Sequence, residues 1–252
     1  MIGADLSGRR VLVTGASSGI GLATVEIFAR NGAAVALNHL PDDARGPAEA
    51  ARLAGTGLSV LALPGDVSRA GEAEAMMAAG IDRLGGLDVL VNNAGTSGTT
   101  TPIAFEDLDA MSEDFWATIL ATNLLGPFRC ARAAAATLKA SRGAIVNTAS
   151  VAGLGRRGSS VAYAASKAGL INLTRSLARA LAPDVRVNAV APGLVATPWT
   201  EPWSEARKAS TVERTMLGRM ARPEDIAETI FFLAAGAAYI TGETITVDGG
   251  AI

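Results

Sequence analysis

The sequence predicts a single α/β domain over residues 1–252, of the doubly wound type, in which helices flank both faces of a seven-stranded parallel sheet. Three observations predict this fold. Seven short apolar runs alternate with longer segments whose apolar residues recur every three or four positions, a pattern typical of βαβ units. Most of the runs are apolar throughout, as expected for strands that helices cover on both faces. No Pro/Ser-rich linker, charge run, repeat or low-complexity tract divides the chain.

The predicted strands are short runs rich in Val, Ile, Leu and Ala. Such β-branched and aliphatic runs, bounded by polar or turn-forming residues, are typical of buried strands. In chain order they are 11–14, 34–38, 58–62, 88–92, 144–148, 185–190 and 243–247.

The predicted helices have apolar residues at helical spacing, and three of them have a start signal. Ser68 and Ser160 are predicted N-caps, and Pro223 suits the first position of a helix. The segment 194–220 has no strong period and contains Trp199 and Trp203, so we predict a mobile lid over the substrate. The predicted helices are 20–30, 47–53, 69–84, 112–138, 161–181 and 223–234.

The composition excludes several classes of function. Lys and Arg number 22 against 24 Asp and Glu, so the net charge of −2 offers no basic surplus for phosphates and no nucleic-acid partner is predicted. The single cysteine, Cys130, excludes an intramolecular disulfide framework and is typical of a reducing compartment. The single histidine, His39, excludes a metal site with two His ligands, and no metal is predicted.

No segment is predicted to enter a membrane or to direct export. The first ten residues contain Asp5, Arg9 and Arg10 and lack an apolar core followed by small residues. The longest late apolar run, 230–240, has about half of the ~20 residues that span a bilayer. The expected location is therefore the cytoplasm.

A glycine-rich turn with the sequence TGASSGIG, residues 14–21, joins the first predicted strand to the first helix. Gly15, Gly19 and Gly21 let the backbone turn tightly and approach a pyrophosphate, while the helix N-terminus supplies N–H donors and positive dipole. The spacing differs from G-x-G-x-x-G, and a bare tight turn is the alternative. A P-loop is not indicated, because the turn lacks G-K-S or G-K-T.

The end of the second predicted strand is the expected contact for the adenosine ribose. An acidic residue there would bind the 2′-hydroxyl of NAD and repel the 2′-phosphate of NADP. The sequence instead has the uncharged Asn38, followed by His39, with Asp42, Asp43 and the cation Arg45 nearby. The balance favours NADP(H), and NAD(H) stays open.

Tyr163 and Lys167 are one helical turn apart and therefore lie on one face of their predicted helix. The chain has only two Tyr, and most of its basic residues are Arg, so this pairing of rare residue types is informative. A free phenol, with a pKa of about 10, is a poor base near neutrality. An adjacent cation lowers that pKa and makes tyrosine a usable acid or base. The alternative is an ordinary surface helix with a spare lysine.

With these motifs the sequence resembles the short-chain dehydrogenase/reductase family over nearly its whole length. The resemblance implies a Rossmann-type fold, NAD(P)(H) as cofactor, a small-molecule carbonyl or alcohol substrate, and a homotetramer or dimer. The motifs that carry it are TGASSGIG at 14–21, NNAG at 92–95, TNL at 122–124, Ser150 after the fifth strand, the Tyr163–Lys167 pair, APG at 191–193 with Thr197, and VDGG at 247–250.

The resemblance also implies the role of each catalytic residue. Tyr163 would donate a proton to the carbonyl oxygen during reduction or remove it from the alcohol during oxidation. Ser150 would hydrogen-bond the same oxygen, and Lys167 would bind the nicotinamide ribose and lower the pKa of Tyr163. Asn123 would hold a water that links Lys167 to solvent.

Residues from six segments are implied to bind the cofactor. Asp66 and Val67 are similar to the family's adenine contacts, although a turn-forming Asp is the alternative. His39 is expected to be an exposed loop residue beside the adenosine. The full set is Gly15, Ser17, Ser18, Gly19, Ile20, Gly21, Asn38, His39, Asp66, Val67, Asn93, Ala94, Gly95, Tyr163, Lys167, Pro192, Gly193, Val195 and Thr197.

The expected substrate is a small ketone, sugar or polyol. A 3-oxoacyl thioester on an acyl carrier protein is the first alternative. Basic residues near the long helices could dock such a carrier, but the turn at 182–184, which contains Asp184, offers no basic patch of its own. The candidate docking residues are Lys139, Arg142, Arg175 and Arg179. A nucleotide-sensing protein without catalysis is the second alternative. Arg156 and Arg157 could meet an acidic substrate or simply be solvated, and Trp199 and Trp203 could stack on substrate or pack the lid.

Overall fold

Seven strands form the sheet in the computed structural model of the chain, which describes residues 3–251. Each predicted strand is present, most with ends shifted by one or two residues. The strands are β1 Arg10–Val13, β2 Ala34–His39, β3 Val60–Pro64, β4 Val89–Asn92, β5 Ala144–Thr148, β6 Arg186–Pro192 and β7 Thr244–Val247.

The strand order is β3-β2-β1-β4-β5-β6-β7, and every neighbouring pair is parallel. The predicted fold class, a seven-stranded parallel sheet with flanking helices, is confirmed. The chain builds β1, β2 and β3 toward one edge and then returns to place β4 on the other side of β1. The connections that follow β1 and β4 therefore diverge and leave a crevice beyond the carboxyl ends of these strands.

Eight α-helices occur within residues 3–251, and none of them is long and apolar enough to cross a membrane. Seven of them correspond, in whole or in part, to the six predicted helices. The helices are α1 Gly19–Arg30, α2 Arg45–Ala54, α3 Glu72–Leu84, α4 Glu113–Leu120, α5 Gly126–Ser141, α6 Val161–Leu181, α7 Glu205–Glu213 and α8 Pro223–Phe231.

The single helix predicted over 112–138 is wrong, because a π-helical turn, Ala121–Leu125, separates α4 from α5. Pro127 supplies a physical reason. Its ring nitrogen has no hydrogen, so it cannot donate to the carbonyl of Asn123, four residues earlier. Asn123 consequently lies in the π-helical turn, an irregularity that is frequent at functional sites. A second π-helical turn, Phe232–Gly236, ends α8 earlier than predicted.

Two of the three predicted helix starts are confirmed. The Ser160 hydroxyl caps α6 by accepting a hydrogen bond from a backbone N–H three residues later, at 3.0 Å, and Pro223 is the first residue of α8. The prediction for Ser68 is wrong, because α3 begins after Gly71, whose φ of 83° a residue with a side chain rarely adopts.

Helix α7 lies inside the segment 194–220, for which the sequence predicted no regular structure. Ser204 caps it, with its hydroxyl accepting a hydrogen bond from the backbone N–H of Arg207 at 3.4 Å. None of its residues is buried. An exposed helix needs no apolar stripe, so its sequence carried no helical period to detect.

The core has two layers, one on each face of the sheet. Along β1, Val11 and Val13 face α1, α2 and α8, and Leu12 faces α3 and α5, because successive strand side chains point to opposite faces. Phe28 and Phe231 join α1 to α8 with their ring centroids 5.2 Å apart. These layers hold the carboxyl ends of the strands in place, and the site lies there.

Candidate active site

A cavity of about 1240 Å³ opens beyond the carboxyl ends of β1, β2, β4, β5 and β6. Its walls include Gly15 after β1, Asn93 after β4 and Ser150 after β5. The opposite wall comes from the segment 192–215, which includes α7. The cavity thus occupies the crevice that the strand order creates.

The glycine-rich turn forms one wall of this cavity and leaves a helix N-terminus open to it. Gly15 has a φ of +59°, and an ideal Cβ on it would lie 2.7 Å from the Cα of Ala94, so only glycine fits. Ser18 precedes α1 without a side-chain capping bond, and the first turn of α1 carries no acidic residue. The first N–H groups of α1 therefore keep their capacity for an anion, and the wall fits the pyrophosphate of a dinucleotide.

Hydrogen bonds tie the turn to the segment that follows β4. The Thr14 hydroxyl oxygen accepts from the backbone N–H groups of Asn93 and Ala94, each at 3.0 Å. The Asn93 amide donates to the carbonyls of Thr14 at 3.1 Å and Gly15 at 2.9 Å. The two segments on either side of the crevice are thus held as one rigid unit.

Asn38 braces the same turn from β2. Its amide oxygen accepts from the Gly15 N–H at 3.1 Å, and its amide nitrogen donates to the carbonyls of Leu63 at 3.1 Å and Gly65 at 3.0 Å. Both amide hydrogens are therefore used within the protein. Asn38 borders the cavity, but it offers no free donor to a ribose.

The expectation that His39 is exposed is wrong. Its side chain is buried under α2, where an ideal Cβ on Gly46 would lie 2.1 Å from the ring. Its Nδ1 lies 2.8 Å from the Leu40 carbonyl, and its buried Nε2 has no partner among the described residues. The charged loop that follows β2 suggested exposure of His39. The sequence did not indicate that α2 covers the end of this strand.

Asp43 and Arg45 form an ion pair at the same end of the cavity. The Arg45 guanidinium donates to both carboxylate oxygens of Asp43 at 2.8 Å, and the Ser17 hydroxyl donates to Asp43 at 2.6 Å. The guanidinium holds the pKa of the Asp43 carboxyl well below its usual range. The acid at this end of the cavity is thus ionised and largely compensated.

Tyr163 and Lys167 lie in the first turns of α6, on the face that borders the cavity. The Lys167 ammonium is buried, lies 5.7 Å from the centroid of the Tyr163 ring, and donates to the Thr148 carbonyl at 2.8 Å. Burial raises the pKa of Tyr163 to about 12 and lowers that of Lys167 to about 8. Without a bound cofactor, then, Tyr163 is a neutral phenol, and Lys167 alone does not offset the effect of burial.

Ser150 lies next to the phenol. It follows β5 in extended conformation, and its hydroxyl accepts from the Ala152 N–H at 3.2 Å, at the start of the short 3₁₀ turn Val151–Leu154. The Ser150 hydroxyl beside the phenol lowers the pKa of Tyr163 and so opposes part of the effect of burial. One oxygen of a ligand could therefore meet both hydroxyl groups.

Asn123 is fully buried behind the cavity wall. Its amide oxygen accepts from the Thr96 N–H at 2.8 Å, and its amide nitrogen donates to the Thr96 carbonyl at 2.9 Å and the Ser166 hydroxyl at 3.1 Å. An ideal Cβ on Gly95 would lie 3.4 Å from the Asn123 amide oxygen and 3.5 Å from the Lys167 ammonium. Both groups thus flank one point above Gly95.

Aromatic side chains from the segment 192–215 cover the side of the cavity near Tyr163. The rings of Trp199 and Tyr163 meet edge to face with their centroids 5.8 Å apart, and the guanidinium of Arg207 lies 4.6 Å from the centroid of Trp203. Trp199 therefore contacts the phenol directly, and Trp203 lies in the same wall.

All of the predicted site residues except Gly21 and Asn123 border the cavity. An ideal Cβ on Gly21 would lie 2.5 Å from the Gly15 carbonyl oxygen, so Gly21 allows the turn to pack. Sequence reasoning missed Thr148, which acts through a backbone carbonyl that every residue possesses. It also did not predict that Arg207 and Arg214, within the segment 194–220, border the cavity.

We expect Lys167→Met to make the cofactor-free protein more stable at neutral pH. The fall in the Lys167 pKa from 10.5 to about 8 corresponds to about 3 kcal/mol of buried-charge cost, at ~1.4 kcal/mol per unit. Loss of the hydrogen bond from Lys167 to the Thr148 carbonyl costs about 1 kcal/mol of stability. The net gain in the free energy of unfolding is therefore about 2 kcal/mol. Urea unfolding of both proteins measures this difference.

Urea unfolding at higher pH tests whether the buried charge of Lys167 is the cause of the difference in stability. Between pH 8 and 10.5 the unfolded chain holds the Lys167 proton and the folded chain has released it, so the wild type gains stability as pH rises through this window. The advantage of Lys167→Met should therefore shrink across it. An advantage that stays constant with pH would show that the buried charge is not its cause.

The comparisons with known proteins agree with this geometry. Residues 15–251 match a protein-family model described as enoyl-(acyl carrier protein) reductase. The uncharacterized short-chain type dehydrogenase/reductase y4vI of Sinorhizobium fredii is 46% identical over 248 residues, which make up 96% of this chain and 43% of that protein. This chain thus spans less than half of that relative.

Two further proteins match along nearly their whole length. The 3-oxoacyl-(acyl-carrier-protein) reductase FabG of Chlamydia pneumoniae is 39% identical over 249 residues, which make up 97% of each chain. A crystal structure from Brucella melitensis, described as a short-chain dehydrogenase/reductase and glucose/ribitol dehydrogenase, has a TM-score of 0.89 at 35% identity. The match covers 99% of this chain and 98% of that one.

Proposed function

The chain belongs to the short-chain dehydrogenase/reductase family of NAD(P)(H)-dependent oxidoreductases, and we propose that it interconverts a carbonyl and a secondary alcohol with Tyr163 as acid and base. The observation that carries the proposal is the meeting of the Tyr163 phenol, the Ser150 hydroxyl and the Lys167 ammonium at one wall of the cavity. The nicotinamide, when bound, supplies or accepts the hydride.

The protein's own contribution to reduction is a proton and a fixed position for the substrate oxygen. Tyr163 is protonated at neutral pH, because burial raises its pKa, and it can donate its proton to the oxygen as the carbonyl becomes an alcohol. Ser150 donates a second hydrogen bond to the same oxygen, which stabilises the charge that develops there. Oxidation uses the same groups in reverse.

Lys167 and Asn123 support this chemistry without contacting the substrate oxygen. The Lys167 ammonium, close to the phenol, stabilises a phenolate and can hydrogen-bond a ribose hydroxyl. The point above Gly95 is within reach of both the Lys167 ammonium and the Asn123 amide oxygen, so one water there would connect them. We assign to this water the path by which Tyr163 regains its proton.

The proposed substrate is a small ketone, sugar or polyol. The aromatic wall of Trp199 and Trp203 suits stacking on a sugar or an apolar ketone. A 3-oxoacyl thioester is the second candidate, favoured by the FabG relative and by the description of the matching family model. Reduction of a 3-oxobutanoyl thioester, compared with reduction of simple ketones and aldoses, distinguishes the two.

We propose NADP(H) as the preferred cofactor, with Arg45 as the cation for the 2′-phosphate. No acidic residue ends β2, and Asp43 is compensated by Arg45 and Ser17. Separate titrations with NADPH and NADH, followed by nicotinamide fluorescence, should show tighter binding of NADPH. Arg45→Gln should lower the NADPH preference about tenfold, as loss of one charged hydrogen bond predicts. A preference for NADH that Arg45→Gln leaves unchanged would contradict the assignment.

The oligomeric state stays a prediction of the family resemblance. Leu125 and Phe128, at the start of α5, are about 40% exposed, which suits a helix that pairs with another subunit. Sedimentation of the purified protein would decide between a dimer and a tetramer.

A further inference from the structure

Arg207 borders the cavity beside the tryptophans and has no acidic partner among the residues that the structure describes. It projects from α7, borders the cavity, and lies over Trp203 with its guanidinium 4.6 Å from the ring centroid. Among residues 3–251, no carboxylate lies within 4.0 Å of this guanidinium. Its stacking on Trp203 holds it in a defined orientation, which leaves its N–H donors available.

The surroundings of Arg207 add positive charge. Arg157 and Arg214 border the same cavity, and partial burial, together with the charge of Arg157, lowers the pKa of Arg207. Arg157 itself has only a distant pair, with Glu106 at 3.6 Å, in which both side chains are largely exposed. Arg214 donates from Nε to the Ser210 carbonyl, and no carboxylate pairs with it within residues 3–251.

Arg156 borders the same cavity but forms an ion pair with a carboxylate of the protein. Its guanidinium donates to the nearly buried carboxylate of Asp248 at 2.6 Å. Arg156 is thus paired with a carboxylate, whereas Arg207 has no carboxylate partner within residues 3–251. Placing like charges together with partial burial costs free energy, and an anion bound between them would offset this cost.

We propose that the substrate carries an anionic group, a carboxylate or a phosphate, that Arg207 binds while the reacting carbonyl lies at Tyr163. The inference rests on the proposed function and narrows its substrate class. Trp199 contacts the Tyr163 ring, and Trp203, four residues further along the chain, lies beneath Arg207. The two tryptophans therefore line the path from the phenol to the guanidinium, along which the body of the substrate would lie.

The test compares charged substrates with matched neutral ones. Oxo acids from 4-oxopentanoate to 7-oxooctanoate are each paired with their methyl ester, and kcat/KM for reduction is measured for both. A phosphate source is tested by comparing 3-oxobutanoyl-coenzyme A with the neutral N-acetylcysteamine thioester. We expect a preference of about 10- to 100-fold for the charged member of at least one pair, as one charge-assisted bidentate contact predicts.

Three variants assign that preference to one side chain. Arg207→Gln should reduce the ratio of kcat/KM for acid to that for ester by at least tenfold, and Arg207→Lys, which keeps the charge, should reduce it less. Lys208→Gln is the matched control. Lys208 is the next residue of α7, pairs with Glu205 at 2.9 Å, and does not border the cavity. Its substitution removes one positive charge from the same helix and should leave the ratio as in the wild type.

Binding separates failure of this inference from failure of the proposed function. Trp199 and Trp203 lie in the cavity wall, so quenching of tryptophan fluorescence reports binding of an acid or ester without turnover. Acids that bind the wild type more tightly than Arg207→Gln support the anion site, even where no carbonyl is reduced. Esters bound and reduced as well as acids would overturn the inference and leave the oxidoreductase intact. Equal effects of Arg207→Gln and Lys208→Gln would also overturn it.

Discussion

Tyr163→Phe is expected to lower kcat by about 10²- to 10⁴-fold while the protein still binds the dinucleotide within several-fold of the wild type. The substitution removes the phenolic hydroxyl, which is the proposed proton donor, and keeps the ring. The edge-to-face contact with Trp199 and the packing of α6 are therefore preserved. The measurement is steady-state carbonyl reduction together with a titration by nicotinamide fluorescence.

The chain supplies a matched control for this experiment. Tyr239 is the only other tyrosine in the sequence, is fully exposed and does not border the cavity. Tyr239→Phe removes the same hydroxyl chemistry and should leave kcat and dinucleotide binding as in the wild type. Full activity in Tyr163→Phe would show that another group protonates the substrate, and the proposed mechanism would fail.

Gly21→Ala is expected to lower both the stability of the fold and the affinity for the dinucleotide. The added Cβ would lie 2.5 Å from the Gly15 carbonyl oxygen and 2.6 Å from the Asn93 amide nitrogen. The backbone of Gly15 and the hydrogen-bonded amide of Asn93 cannot move away without loss of packing and hydrogen bonds. We therefore expect about 1–3 kcal/mol of destabilisation. For a chain of this length that corresponds to a fall in Tm of roughly 2–10 °C.

The same displacement should weaken dinucleotide binding by at least about tenfold, because it moves the turn that faces the pyrophosphate. Gly3→Ala is the control, since an ideal Cβ there has its nearest neighbour at 3.6 Å and is otherwise open. Differential scanning calorimetry and NADPH titration measure both effects. A Gly21→Ala protein with unchanged Tm and affinity would mean that the turn is looser than the contacts indicate.

Much of the fold was predictable because local patterns and the tertiary structure agree. The apolar runs became strands since helices cover both faces of the sheet, and the glycine-rich turn had to follow β1 for its donors to face the crevice. The Tyr163–Lys167 pair was predictable because four residues along a helix always return to the same face. These features depend on the spacing of residues within a short segment.

Other features could not be predicted from the sequence, because they depend on contacts between distant segments or on exposure to solvent. Helix α7 buries none of its residues, so nothing in its sequence marks a buried face. The π-helical turn at Asn123 lies beside Pro127, and a proline near a helical pattern indicates an irregularity without its form. His39 is buried by α2, which follows it in the chain but packs over it only in the folded state.

The sequence alone determined the strand–helix alternation, the open helix N-terminus and the positions of the phenol and the ammonium on one helical face. Only the tertiary structure decided which charges are compensated: Asp43 by Arg45, Arg156 by Asp248, and Arg207 by none of the carboxylates in residues 3–251. The physical reason is the distance along the chain over which each effect acts. Periodicity and turn chemistry act over a few residues, while burial and ion pairing depend on which segments meet across the sheet, and these set the pKa values and the free charge of the site.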